Sequence, residues 1–292
     1  MLLNTETLQL LDTAFNASFS AEITGTHLSY DAVAMTVKST NRSNAYAWLD
    51  AMPQVREWVG DRVINQLSGQ TYTLTNKSYE SSFSVDRDDI EDDQYDLFSN
   101  AAAGLARKSL MHRDKLIWDA LANGEVALGY DGVPFFSDAH PTGDDVQSNL
   151  IAGAGAPWYV MDLNQPLKPL VFQLRKEVEL VAKTALTDDN VFFAKKFIWG
   201  ADARYAAGFT LWQLAVKSKA TLTEANLAAA RSLMLGITDS SGEVMGIMPT
   251  ALVVGRSNLT AGEKLINSLT LANGESNINK GAYKLIFSPY LP

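Results

Sequence analysis

Apolar residues near the start of the chain recur at helical spacing. Leu8, Leu11, Phe15 and Phe19 fall on one stripe, which predicts an amphipathic helix over residues 4–20, ended near Gly25. A lone helix of that length is marginal in water, so it must dock on something. Its own domain and a neighbouring subunit are both open as the surface it meets.

Beyond a short extended stretch at 33–37 and tryptophans at 48 and 58, the period drops to two. Tyr72 and Leu74 alternate with threonines, and Tyr79, Phe83 and Val85 alternate with polar residues. Strands flanking Asn76-Lys77 read as one long hairpin turning at that pair. Its apolar stripe is thin, and an isolated two-stranded hairpin is marginal unless something covers it. The cover expected is another subunit. A deletion of residues 67–87 should then leave a folded subunit that cannot assemble.

Carboxylates crowd residues 86–96, and a helical stripe follows through Phe98, Ala101, Ala102, Leu105, Leu116, Ile117, Ala120 and Leu121 to Asn123-Gly124. A helix over 92–123 would be on the order of 45 Å long, long enough to act as a spine. Residues 124–157 read as loops, with a flexible glycine-rich linker at 153–157. Residues 158–217 read as antiparallel strands with one wet face, Val191-Phe192-Phe193 among their apolar runs. A helix at 221–236, a strand at 251–254, a helix at about 259–269 and a strand at 284–287 suggest a small α/β unit. The class is α+β.

Composition narrows the chemistry. With 47% hydrophobic residues in 292, the chain has ample material for a core. No apolar run is long enough to span a bilayer, and residues 1–6 lack a basic segment, so neither a membrane partner nor a cleaved leader is expected. There is no cysteine, which excludes disulfides, thiolate metal sites and thiol nucleophiles. A net charge of −9 repels a phosphate backbone, so specific nucleic-acid binding is not expected.

No catalytic, cofactor or metal site is expected. His27, His112 and His140 lack metal-ligand spacing. The acidic cluster fails the EF-hand pattern, because Ile90 and Glu91 stand at the fifth and sixth positions counted from Asp86. Its carboxylates suit a helix N-terminus, with a loose cation site between subunits as the minor alternative. Phosphate-binding loops and the nucleophile-elbow motif are absent. A carboxylate pair close only in space would leave no sequence trace, so a hydrolase remains an alternative, as does a surface-binding module.

Several segments, in order, resemble the Mu-like major head subunit family of tailed phages: 43–48 (SNAYAW), 57–60 (EWVG), 84–93 (SVDRDDIEDD), 130–141 (YDGVPFFSDAHP), 168–173 (KPLVFQ), 197–209 (FIWGADARYAAGF) and 212–216 (WQLAV). The resemblance covers nearly the whole chain and implies an HK97-like capsid fold. Residues 1–45 would be an N-terminal arm and 46–90 an extended loop region. Residues 91–220 would form a peripheral domain around the spine helix, and 221–292 an axial-type α/β domain. It further implies a non-enzymatic major capsid protein in the virion, built in the host cytoplasm. Its copies would form pentamers and hexamers with scaffold and portal proteins, around DNA held as non-specific cargo. Trp58, Arg62, Tyr72, Tyr79 and Arg87 are candidate assembly anchors, since aromatic and arginine side chains dominate interfaces; for the tryptophan and the tyrosines, filling the subunit's own core is the equal alternative. Lys77 joins them by its place near the expected hairpin tip, although an ordinary solvated lysine is the simpler reading. Crosslinking to a neighbour, known in some phage shells, would need a desolvated carboxylate that the sequence does not reveal.

Overall fold

The structure, a computed structural model, describes residues 4–49, 69–92, 95–270 and 274–292. It opens with α1 (Thr5–Gly25), longer than expected. Asn4 caps it, accepting the Thr7 N–H at 2.8 Å, while the Thr7 hydroxyl returns a bond to the Asn4 backbone. A 3-10 turn leads to β1 (Ala34–Lys38), then β2 (Ser43–Leu49), β3 (Gly69–Thr75) and β4 (Lys77–Asp86). The short α2 (Arg87–Glu91) precedes the spine helix α3 (Tyr95–Ala122); Asp86 caps α2, Asp88, Asp89 and Glu91 lie within it, and Asp96 falls in the first turn of α3.

Next come the short strands β5 (His140–Thr142), β6 (Asp145–Gln147), β7 (Leu150–Ile151) and β8 (Trp158–Met161). The two long strands β9 (Leu170–Lys183) and β10 (Lys196–Phe209) are joined through α4 (Asp189–Ala194). The chain closes with β11 (Ala215–Ser218), α5 (Glu224–Leu235), β12 (Ala251–Val254), α6 (Leu259–Asn267) and β13 (Lys284–Phe287).

Two main sheets form. The first has the order β1-β9-β10-β4 and the second β13-β12-β8-β11-β7. Every residue of β8 is buried, as a strand covered on both faces requires. Strands on both sides of residue 220 therefore build the second sheet.

β9 explains the layering. Residues 170–174 are all buried, after which burial becomes intermittent. Phe172 faces the main core with Leu105, Ile117 and Trp118 of α3, whereas Val171 joins Leu74 and Ala206 on the other face. The first sheet is thus covered by the spine on one side and by the foot of the β2–β3 pair on the other.

Three expectations change. β3 and β4 do not pair with each other: β3 pairs with β2, and β4 pairs along its whole length with β10. A two-residue hairpin turn of type I′ needs positive φ at both positions, and neither Asn76 nor Lys77 has it. Val191-Phe192-Phe193 is helical, in α4, and only Val191 is buried. The 153–157 segment is no loose linker. A Cβ on Gly153 would lie 2.2 Å from the Lys219 carbonyl oxygen, and the Gly155 N–H donates to that same oxygen at 2.8 Å.

Candidate assembly surface

The arm docks on its own chain. Leu8, Leu11 and Phe15 of α1 form a satellite core with Val85, Ile90, Ala102, Val191, Phe197 and Trp199. The Phe15 ring lies 4.8 Å from that of Trp199. Asp12 clamps the contact from the polar side: its carboxylate accepts the Trp199 indole N–H and the Thr184 hydroxyl, each at 2.9 Å. Further along, Asp114 of α3 accepts the Tyr30 N–H at 2.7 Å and the Ser29 hydroxyl, pinning the segment after α1 to the spine.

The extended loop is rooted by buried amides. Gln173, fully buried on β9, donates to Asn76 Oδ1 at 2.8 Å and to the Leu74 carbonyl, and accepts the Tyr46 hydroxyl at 2.8 Å. Asn76 Nδ2 donates to Ser39 Oγ and to the Asn41 carbonyl, both at 2.9 Å. These bonds tie both legs of the β2–β3 pair to the sheet beneath it. Asn76 is therefore a buried junction where the strand changes sheets.

Of the candidate anchors, Trp58 and Arg62 lie outside the described residues. Tyr72 is half-buried against its own chain and bonds the Phe209 backbone; burial raises its phenol. Tyr79 stacks on Tyr205 at 4.5 Å and meets His112 at 4.6 Å, and burial raises it too. Arg87 holds Glu91 at 2.7 Å one turn along α2. Lys77 is exposed. The structure thus gathers Tyr79 and Tyr205 beneath the spine, leaves Lys77 facing solvent, and puts Arg87 at the β4–α2 corner.

Two polar centres escaped sequence reasoning. At the end of α3, Lys217 of β11 reaches the Ala122 carbonyl at 3.1 Å and Glu125 at 2.9 Å, while Lys219 reaches Glu125 at 2.7 Å. Cations suit the negative end of a helix, so this cluster fastens the spine to the second sheet. Desolvation pushes the Glu125 carboxyl upward, but the hydrogen bonds from Lys219 and Lys217 outweigh it and hold the group low. In the second centre, His140 is fully buried between Asp131 at 2.6 Å and Asn149 at 3.1 Å, stacked 3.9 Å from the Trp212 ring. Asn149 Nδ2 donates to the carbonyls of Phe135, Trp212 and Ala215. This His–Asp pair is walled in by side chains and works as a structural knot that shapes the 126–149 loops.

Among the described residues no cluster of three or more His, Cys, Asp or Glu side chains is arranged to hold a metal, and no helix is long and apolar enough to cross a membrane. The surface instead carries large exposed apolar side chains, with Phe192 74% and Phe193 79% accessible.

Known proteins share this architecture along its full length. The sequence model of the Mu-like prophage major head subunit gpT matches residues 8–291. The major capsid protein of Escherichia phage Mu is 34% identical, with all of both chains aligned. The Mu-like prophage FluMu major head subunit of Haemophilus influenzae is 32% identical over 97% of each chain. Among solved structures, the chain of the bacteriophage JBD30 procapsid superposes with a TM-score of 0.85 at 32% identity, covering 99% of this chain and 100% of that one. These comparisons give the hydrolase alternative no support.

Proposed function

This chain belongs to the Mu-like prophage major head subunit family, and from that premise we propose how its copies build a head. It is a major capsid protein with an HK97-like capsid fold, a virion component whose copies assemble into a shell. In the proposed assembly the copies close into pentamers and hexamers of an icosahedral head, formed in the host cytoplasm with scaffold and portal proteins. Such rings need heterologous contacts that close by rotation. The head then encloses DNA as non-specific cargo, which suits a subunit of net charge −9 that does not grip phosphate. Catalysis has no part in this scheme.

The subunit divides by role. Residues 1–45 are the arm and 46–90 the extended region that overlaps a neighbour. The block 91–220 is the peripheral part, with α3 as its spine, and 221–292 is the axial part, completed by the earlier strands that share its sheet. Trp58, Arg62, Lys77 and Arg87 are proposed contacts between copies; Tyr72 and Tyr79 act from beneath by holding β3 and β4 in place.

The observation that supports this reading best is full-length similarity in both sequence and backbone to subunits named as head and capsid proteins. The test is electron microscopy of the full chain, purified after expression with the neighbouring head genes. Closed shells and five- or six-fold rings are expected. A protein that stays monomeric under every such condition would refute the proposal.

A further inference from the structure

The β9–β10 ribbon ends in an aromatic tip that the single chain leaves uncovered. Val191 is buried and anchors α4 in the satellite core with Leu8, Leu11 and Phe15. The two residues after it point away: Phe192 and Phe193 are 74% and 79% exposed, packed edge to face at 5.0 Å. Leu186, before the helix, adds 37% exposure. Two bare phenylalanines side by side forgo the burial that large apolar side chains ordinarily gain on folding, and clustered apolar exposure of this kind marks a contact site.

The backbone is set to present them. Lys195 has φ 52°, the only positive φ at a non-glycine among the described residues. That conformation is strained for a lysine, and here it turns the chain straight from α4 into β10. Charge is divided across the same turn, with Asp188 and Asp189 at the start of the helix and Lys195 and Lys196 after it; Lys195 also reaches Asp88 of its own chain at 3.4 Å, both side chains being exposed. A rotated second copy would place its acidic side against the basic side of the first.

We propose that Phe192 and Phe193 form a knob that packs against the same knob of further copies of this chain, aromatic against aromatic and acid against lysine. This rests on the capsid reading above, since a shell supplies the second copy.

Because the chain lacks cysteine, the test is clean. Phe193→Cys is introduced into the full-length chain expressed with its head genes, and purified particles are oxidised. Val244→Cys, exposed on a distant loop, is the control. Disulfide-linked subunits are expected for Phe193→Cys and not for the control. The double variant Phe192→Ser/Phe193→Ser should keep its thermal midpoint yet lose about tenfold or more in particle yield, as a hot-spot loss would dictate. Intact particles without a 193–193 crosslink, or equal crosslinking at 244, would overturn the knob while sparing the capsid reading. Failure of the unaltered chain to form any particle would sink the capsid reading itself.

Discussion

Gln173 carries more structural burden than any charged side chain near it, because three partners depend on one buried amide. Replacing it with Leu removes its bonds to the Tyr46 hydroxyl, the Asn76 amide oxygen and the Leu74 carbonyl, although Tyr46 keeps its bond to Asn44. Each group left without a partner costs about 1–3 kcal/mol, so Gln173→Leu should lower the urea midpoint markedly. Nothing in the sequence singles out this glutamine in a strand; its importance comes from what lies across the sheet. Gly153 is similar. Its Cβ position is occupied by a backbone carbonyl, so Gly153→Ala should destabilise by about 1–3 kcal/mol through overpacking, read by the same titration. Glu125 gives a pH signature. Its folded carboxyl is held below the usual value, so the stability it contributes is present above the unfolded pKa and is lost as pH falls through the folded one. Thermal midpoints of the native chain should therefore fall on the acid side, and Glu125→Gln should flatten that part of the decline.

At the level of elements, periodicity was a good guide where one element has one environment. The inward residues of α1 were legible because Leu8, Leu11, Phe15 and Phe19 lie on one buried stripe, the first three in the satellite core and Phe19 in the main one. Phe15→Ala should cost about 3–5 kcal/mol and loosen the arm, seen as faster amide exchange in α1. The strands at 251–254 and 284–287 were equally plain, bounded by turn residues on both sides. Alternation failed at Asn76, because period two announces a strand without naming its partner. Only the buried bonds to Ser39, Asn41 and Gln173 reveal that the junction is interior. The practical result is a revised deletion. Removing 67–87 takes out β4, the edge of the first sheet, together with Val85 of the satellite core, and should unfold the subunit. Removing only 50–68 should leave a cooperative thermal transition but no shells by electron microscopy.

For the molecule as a whole, fold and family were readable from ordered short segments spread along the chain, whereas the contacts between copies were not. Exposure depends on tertiary placement: Phe192 and Phe193 read as part of an apolar strand run with Val191, yet one helical turn puts them outside. Conversely, Tyr72 and Tyr79 read as anchors for a neighbour and are half spent on their own sheet. The passage from β3 into β4 also has a mechanical meaning. The outer ribbon and the central sheet are joined through the single residue Asn76, which is itself buried and held by Ser39, Asn41 and Gln173. A neighbour that drags the ribbon sideways must load β10 through its ten-residue pairing with β4, and through β10 the layer beneath the spine. The subunit should thus behave as a stiff tether, passing tension inward and sharing strain around a ring where a jointed one would dissipate it.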